Sequence, residues 1–416
     1  IYGNIFEIKK KRIYLLTKSS LFKIFLLLVV LSPFLAYLFN NGLLAYGPML
    51  AVAILILCFE AVEPTLLSYK EWFSILAFVP YTLIAELYYI LHPYEGKILS
   101  EYSITFIFLP FFVYIFLVLR RKYHGEDYHK LLFKIIFIFL ILQSIVCLGQ
   151  ISTYVLGIGL PVVQEYQYDF MISGTFSNSN DLAAVVLLIS LSMTRLESSL
   201  QKNIQVITWL IIAFLLMVSS SRSALVCALV IFIVSRNMSI KSIVPLLLIL
   251  LAAIPILGAI FSQNDSDVLN RISSRIETFQ NIYEYGLNAD SSINLRLDSY
   301  IHFIKNLKNL GMASGEIHNY YIYATNSNFE SWLMFQNPHF LIIEIGYWLG
   351  WIGLVSFFSA FLFLIFTYYR SALFLLIAII SMCIPASVLS SSIYFFFLIL
   401  CVFSAKYSND SIIMIK

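Results

Sequence analysis

Three residues in this sequence have the chemistry to handle a phosphorylated substrate: Arg222, Arg296 and His339. A guanidinium is planar, stays charged, is weakly hydrated, and offers a fork of donors that matches a phosphate or diphosphate. Arg222 lies in Val218-Ser219-Ser220-Ser221-Arg222-Ser223-Ala224, where Ser221 and its neighbours add hydroxyl donors. Arg296 falls in a helical pattern in which Ile293, Leu297, Tyr300, Ile304 and Leu307 recur on one side. Asp290, Ser291 and Ser292 suit its start and Gly311 its stop. Histidine is the side chain best placed to take a proton near neutral pH. His339 follows Asn337-Pro338, where the chain returns to apolar sequence, and His318 is the alternative base. Each residue also has a plainer reading. Arg222 could snorkel to lipid headgroups, Arg296 could pair with Asp298 or Glu277, and His339 could simply bond backbone. His302 reads as a solvated residue on the polar side of its helix. No cluster of carboxylates, histidines or cysteines has metal-ligand spacing, so no metal or cofactor is expected.

The elements that must hold these residues are membrane helices. The chain has 416 residues, 60% hydrophobic and only 12% charged, against about 25% charged in soluble domains. The expected class is therefore an all-α polytopic membrane protein. A net charge of +3 gives no reason to expect a nucleic-acid partner. Cys58, Cys147, Cys227, Cys383 and Cys401 all fall in apolar runs, so no disulfide is expected. A span takes about 20 apolar residues to cross roughly 30 Å of hydrocarbon, and by that measure the chain reads as about twelve spans. They cover about 21–39, 43–59, 73–91, 102–119, 131–156, 181–194, 204–219, 223–235, 242–261, 340–369, 371–388 and 391–405. The organisation is thus nine spans in 1–260, a large polar loop at 261–339, and three spans in 340–416.

Most of the 26 lysines and arginines fall on one side if the spans simply alternate. The positive-inside rule makes that side cytoplasmic, with both termini. Arg222, the 174–180 segment and the large loop then share the outer face, next to lipid. On that face the two arginines would hold a lipid-linked diphosphate and stabilise the charge that grows as it leaves. The histidine would deprotonate an attacking sugar hydroxyl. The competing class is a flippase or other transporter, which usually carries ionisable residues near the bilayer midplane. Here the span centres are nearly free of charge, Glu86 and Glu344 being the main exceptions. A catalytically dead scaffold is a third reading. Tyr283, Tyr285, Tyr320, Tyr321, Tyr323 and Trp332 could stack on sugar rings or serve as interface aromatics.

Four stretches, in order, resemble the O-antigen polymerase and O-antigen ligase superfamily of bacterial surface-polysaccharide assembly. Gly174-Thr175-Phe176-Ser177-Asn178-Ser179-Asn180 resembles its Gly-x-Phe-x-Asn-x-Asn segment, and Ser219–Ala224 its Ser-Arg-x-Ala turn. Arg296, Tyr300, Gly311 and Gly315 resemble its arginine helix and glycine loop. His339 to Glu344, with Gly350 and Gly353, resembles the histidine-initiated span after the big loop, although Phe340 stands where the family often has Asn. The resemblance covers about 170–355. It implies an inverting, metal-independent membrane glycosyltransferase of the GT-C type in the bacterial inner membrane, with a glycan on undecaprenyl diphosphate as donor. Arg222 and Arg296 would engage the diphosphate, His339 would be the base, and Ser221, Asn178, Asn180 and Tyr300 would line the substrate site. The sequence favours a polymerase of O-antigen or capsule, which adds the glycan to another lipid-linked repeat unit, over a ligase of lipopolysaccharide assembly, which adds it to lipid A–core. A chain-length regulator and a flippase would be its partners.

Overall fold

Seven apolar helical stretches long enough to cross a membrane are found among the described residues, one of them, Tyr69–Leu91, made of two consecutive helices. They belong to a computed structural model that describes 2–39, 42–93, 100–123, 125–165, 168–219, 221–235, 291–305, 307–309, 339–368, 372–385 and 388–404. In chain order the helices are α1 (Tyr2–Phe39), α2 (Gly42–Val62), α3 (Tyr69–Leu76), α4 (Val79–Leu91), α5 (Glu101–Lys122), α6 (Glu126–Leu156), α7 (Ser179–Leu196), α8 (Lys202–Val218), α9 (Arg222–Ser235), α10 (Ser291–Lys305), α11 (Leu341–Tyr368), α12 (Ala372–Met382) and α13 (Ser392–Phe403). A short antiparallel hairpin, β1 (Val163–Glu165) and β2 (Tyr168–Met171), interrupts them. The chain is an all-α polytopic membrane protein. The span predicted over 242–261 and most of the polar loop, including His318 and the six aromatic residues, lie outside the described residues.

The elements depart from the sequence reading where the backbone has a specific reason. The span expected at 73–91 is two helices, α3 and α4, because Pro80 opens the second one. Proline fits a first turn, where its missing N–H is no loss. The span expected at 340–369 is bent inside α11 at Gly350, whose φ of 65° and ψ of −158° only glycine adopts readily. The span expected at 371–388 is helical only to Met382, and a turn follows through Pro385. The stretch just before α13 is tied to α5, and α12 is tied to α13. Thr105 Oγ1 donates to the Ser390 carbonyl at 3.0 Å, and Ser381 and Tyr394 hydroxyls pair at 3.1 Å.

Hydropathy makes every span look alike, but burial separates them. α13 is buried along its whole length and α7 along nearly all of it, while α2 and α4 leave large apolar side chains exposed. α7 packs on α9, α12 and α13, and α13 also packs on α5. So α7 and α13 form the protein-lined centre, and α1, α2 and α4 bring apolar side chains to its rim. Phe139 of α6 joins two central elements, touching Phe176 ahead of α7 (6.5 Å) and Phe397 of α13 (4.7 Å). Thr105, near the start of α5, bonds Ser390 just before α13, and Gln143 and Gln150, in the second half of α6, bond the turn before α7, so the starts of α7 and α13 lie at one end of the bundle. The short connections of α7 to α8 and of α8 to α9 bring the start of α9 to that same end.

Two glutamines fix the turn before α7. Gln143 and Gln150 are fully buried and lie seven residues apart on α6, on one face. Gln150 accepts from the Ser173 and Gly174 amides and donates to the Gly174 carbonyl at 2.8 Å. Gln143 accepts from the Thr175 amide and donates to the Thr175 hydroxyl at 2.7 Å. With no water in a bilayer interior, such a turn is stable only if the protein satisfies its amides. Gly174 has φ of 62°, and a Cβ there would run into Gln143 Oε1. Gly174→Ala is expected to lose about 1–3 kcal/mol from the positive φ alone, read as a lower unfolding midpoint in detergent. Adding Gln143→Ala relieves the collision but not the backbone strain. The double variant should therefore be less destabilised than the two single losses added together.

Candidate functional site

His339 sits one residue ahead of Phe340 and α11, with a φ of 51°. A non-glycine residue in the left-handed region carries strain, and such strain gathers at functional sites. Its ring Nδ1 lies 3.1 Å from the Pro385 carbonyl oxygen. A carbonyl can only accept, so Nδ1 donates, and the neutral ring keeps its lone pair on Nε2. Burial first and the Arg296 charge second lower the imidazole pKa to about 4, against the bond to Pro385, which raises it. At neutral pH, Nε2 is thus an unprotonated acceptor in a fixed tautomer. The plainer expectation for His339, a bond to backbone, is met at Nδ1, and that bond is what aims Nε2.

Arg296 comes to the same place from α10. Its Nη1 points at the Cys383 carbonyl, a long contact at 3.5 Å. Cys383 and Pro385 belong to the turn after α12, so this one turn supplies a backbone acceptor to each of the two residues. Tyr300 lies one helical turn beyond Arg296. Its hydroxyl donates to the His339 carbonyl at 3.3 Å, and its ring packs 5.5 Å from that of Phe340. Burial pushes the Tyr300 phenol up to about 12, so it serves as a donor and not as a base.

His302 corrects the sequence reading. It is buried, not solvated, and its Nδ1 lies 2.8 Å from the Tyr347 hydroxyl. Burial, with Lys305 nearby, lowers its pKa. The spacing of its apolar residues predicts one wet face, but α11 covers part of that face. Phe303 packs edge-on to Tyr347 at 5.3 Å and fills the space that a side chain at Gly346 would need. Tyr300, His302 and Phe303 thus fasten α10 across the head of α11, and Arg296 reaches past it to the turn after α12.

The other expected residues sit at helix starts. Asn178 caps α7, its side chain accepting from the Asn180 amide at 2.8 Å. Ser221 is buried, and its carbonyl accepts from Leu225 in the first turn of α9. The backbone of Arg222 begins α9, and its side chain falls outside the described residues. α7 and α9 pack together, so these two starts are neighbours in the fold. Helix starts leave amides that favour negative charge. The structure joins Tyr300 to His339 by direct contact and brings Arg296 to the same turn after α12 that His339 bonds, and it sets Asn178, Asn180 and Ser221 on adjacent helix ends.

Sequence reasoning missed Gln143, Gln150, Cys383 and Pro385. Two glutamines seven residues apart inside a long apolar run were a usable signal. Cys383 and Pro385 contribute carbonyls, which every residue type has, so nothing in their identity marks them.

Residues 207–358 match the family model described as O-antigen ligase. The matched stretch holds Ser221, Arg222, Arg296, Tyr300, His318 and His339, and leaves Asn178 and Asn180 outside. No curated protein matches the chain.

Proposed function

We propose, from the match of residues 207–358 to the O-antigen ligase family model, that the chain transfers a glycan from undecaprenyl diphosphate to lipid A–core at the outer face of the bacterial inner membrane. The observation that carries the reading is the meeting of Arg296 and His339 over one backbone turn, where the bond from Nδ1 to the Pro385 carbonyl makes Nε2 the basic atom of the neutral ring. In the reaction, Nε2 takes the proton of an acceptor hydroxyl. The hydroxyl oxygen bonds to the anomeric carbon from the face opposite the diphosphate. The carbon–oxygen bond to the diphosphate breaks, and the lipid diphosphate departs with the electron pair. Arg296, with Arg222, holds the departing oxygens, where fixed donors in a site poor in water act strongly. One displacement inverts the anomeric centre. The arginines supply the positive charge, so the reaction is metal-independent. About twelve spans in a GT-C arrangement, with both termini cytoplasmic, would put this site on the outer leaflet.

The family match favours a ligase acceptor over the polymerase acceptor expected from sequence. The Gly174–Asn180 segment had argued for a polymerase. Its contacts with Gln143 and Gln150, and its capping of α7, give it a structural reason to be there with either acceptor. The deciding experiment is reconstitution of the purified protein with a lipid-linked oligosaccharide, a lipid A–core acceptor and a chelator. The expected product is glycosylated lipid A–core, absent in His339→Ala. Longer lipid-linked chains made without lipid A–core would give the polymerase instead. Silence with both acceptors, using a donor that a known ligase accepts, would sink the transferase reading.

A further inference from the structure

At the opposite end of the bundle from His339, a cleft of about 480 Å³ opens between α1 and α6. Its floor and sides are Leu26, Leu27, Val30, Leu131, Ile135 and Ile138. Its mouth carries Lys23, Lys130 and Lys134, with Tyr123 and a single carboxylate, Asp127. We propose that this cleft is a binding site for an anionic phospholipid, with an acyl chain along the leucine and isoleucine wall and the headgroup phosphate among the three lysines.

Three observations support that occupant over a soluble anion or a protein segment. First, the cleft is amphipathic in the way a phospholipid is. Its apolar part lies within the spans of α1 and α6, and its cations lie where those spans begin. Basic pockets between helices at a membrane surface bind lipid headgroups. Second, the cleft lysines are not already used as ion-pair partners to the extent that their neighbours are. Lys18 is tied to Glu60 at 2.9 Å and Arg121 is tied to Glu71. Lys130 has a loose, exposed contact with Glu126 at 3.3 Å. Lys23 and Lys134 form no ion pair among the described residues, and Lys23 rests 5.7 Å from the Tyr123 ring centre. Third, the cleft is open to the lipid side. Leu27, Ile138, Lys23 and Lys134 are exposed residues on the rim of the bundle, where bilayer would stand. An apolar wall facing lipid, under a mouth with an excess of positive charge, fits an anionic diacyl lipid and disfavours a zwitterionic one.

The test uses the full-length protein in nanodiscs and reads lipid retention by native mass spectrometry after mild delipidation, with phosphatidylglycerol and phosphatidylcholine supplied in equal amounts. Wild-type protein is expected to retain phosphatidylglycerol at least about tenfold over phosphatidylcholine. Lys23→Gln with Lys134→Gln should remove that preference, while Lys202→Gln, at the same end of the bundle but outside the cleft, should keep it. Equal retention of the two lipids by the wild type overturns the site without recourse to any variant. A preference unchanged in the double variant does so too. Loss of bound phosphatidylglycerol to millimolar inorganic phosphate would make the site an anion site and not a lipid site. Unfolding of the lipid-free double variant at the wild-type midpoint distinguishes a lost site from a lost fold.

Discussion

His339→Ala is expected to lower glycan transfer by roughly 10²–10⁴-fold, the usual contribution of a positioned general base, while the protein still inserts and elutes as the wild type does. The pH profile is the sharper reading of the same residue. The acid limb of kcat/KM reports the base in the free protein. Burial and the Arg296 charge both disfavour the imidazolium, so the neutral ring persists as pH falls, and the limb should lie near pH 4 rather than at the ordinary 6.5. Arg296→Gln removes one of the two influences that depress it and should move the limb upward. A bound diphosphate adds negative charge beside the arginine, which favours the imidazolium. The limb of kcat, which reports the complex, should accordingly lie at higher pH than that of kcat/KM. A base near 4 is weak at neutral pH, so this upward shift on binding is also what would make the histidine effective when the donor is in place. A free-protein limb at 6.5 that ignores Arg296→Gln would move the role to another base, with His318 the first to test.

What the sequence made legible, and what it did not, follows from the range of the physics involved. Spans are visible because about 20 apolar residues in a row have few other uses. The start of the arginine helix at Ser291 was legible for a local reason, since residue types that favour a helix start are read within a few positions of it. Its meeting with His339 was legible only through order and shared face, because 43 residues of chain separate Arg296 from His339. Burial around the helix axis was not legible. A helix with one apolar stripe does not announce a second neighbour, and this is why His302 looked wet and is dry. The end of α12 at Met382 was hidden for a related reason. Residues 383–390 are mostly apolar or small, so hydropathy runs on past the turn that begins at Cys383. In the bilayer every unpaired backbone group is costly, so such turns need buried polar partners. Gln143 and Gln150 show that those partners can be found by looking for polar residues on one helix face inside an apolar run.

Arg296→Ala should reduce transfer by roughly 10²–10³-fold, the range for removing one fixed donor from a developing oxyanion. Arg296→Lys should recover only part of this, since an ammonium is a point charge and cannot reproduce a two-pronged contact with a diphosphate. The two variants separate charge from shape through their effect on His339. Lysine keeps a positive charge near the imidazole, so the acid limb of kcat/KM should stay low while transfer is impaired. Alanine removes the charge, so the limb should rise as transfer is lost. The fork has a second use in the free protein, where Nη1 reaches toward the Cys383 carbonyl at 3.5 Å. That contact is long enough to be given up when donor phosphate oxygens arrive, since hydrogen bonds weaken toward this distance. Wild-type transfer from Arg296→Ala would remove this residue from the site. A limb that rises equally in the lysine and alanine variants would mean that the arginine acts on His339 by shape and burial, and not by its charge.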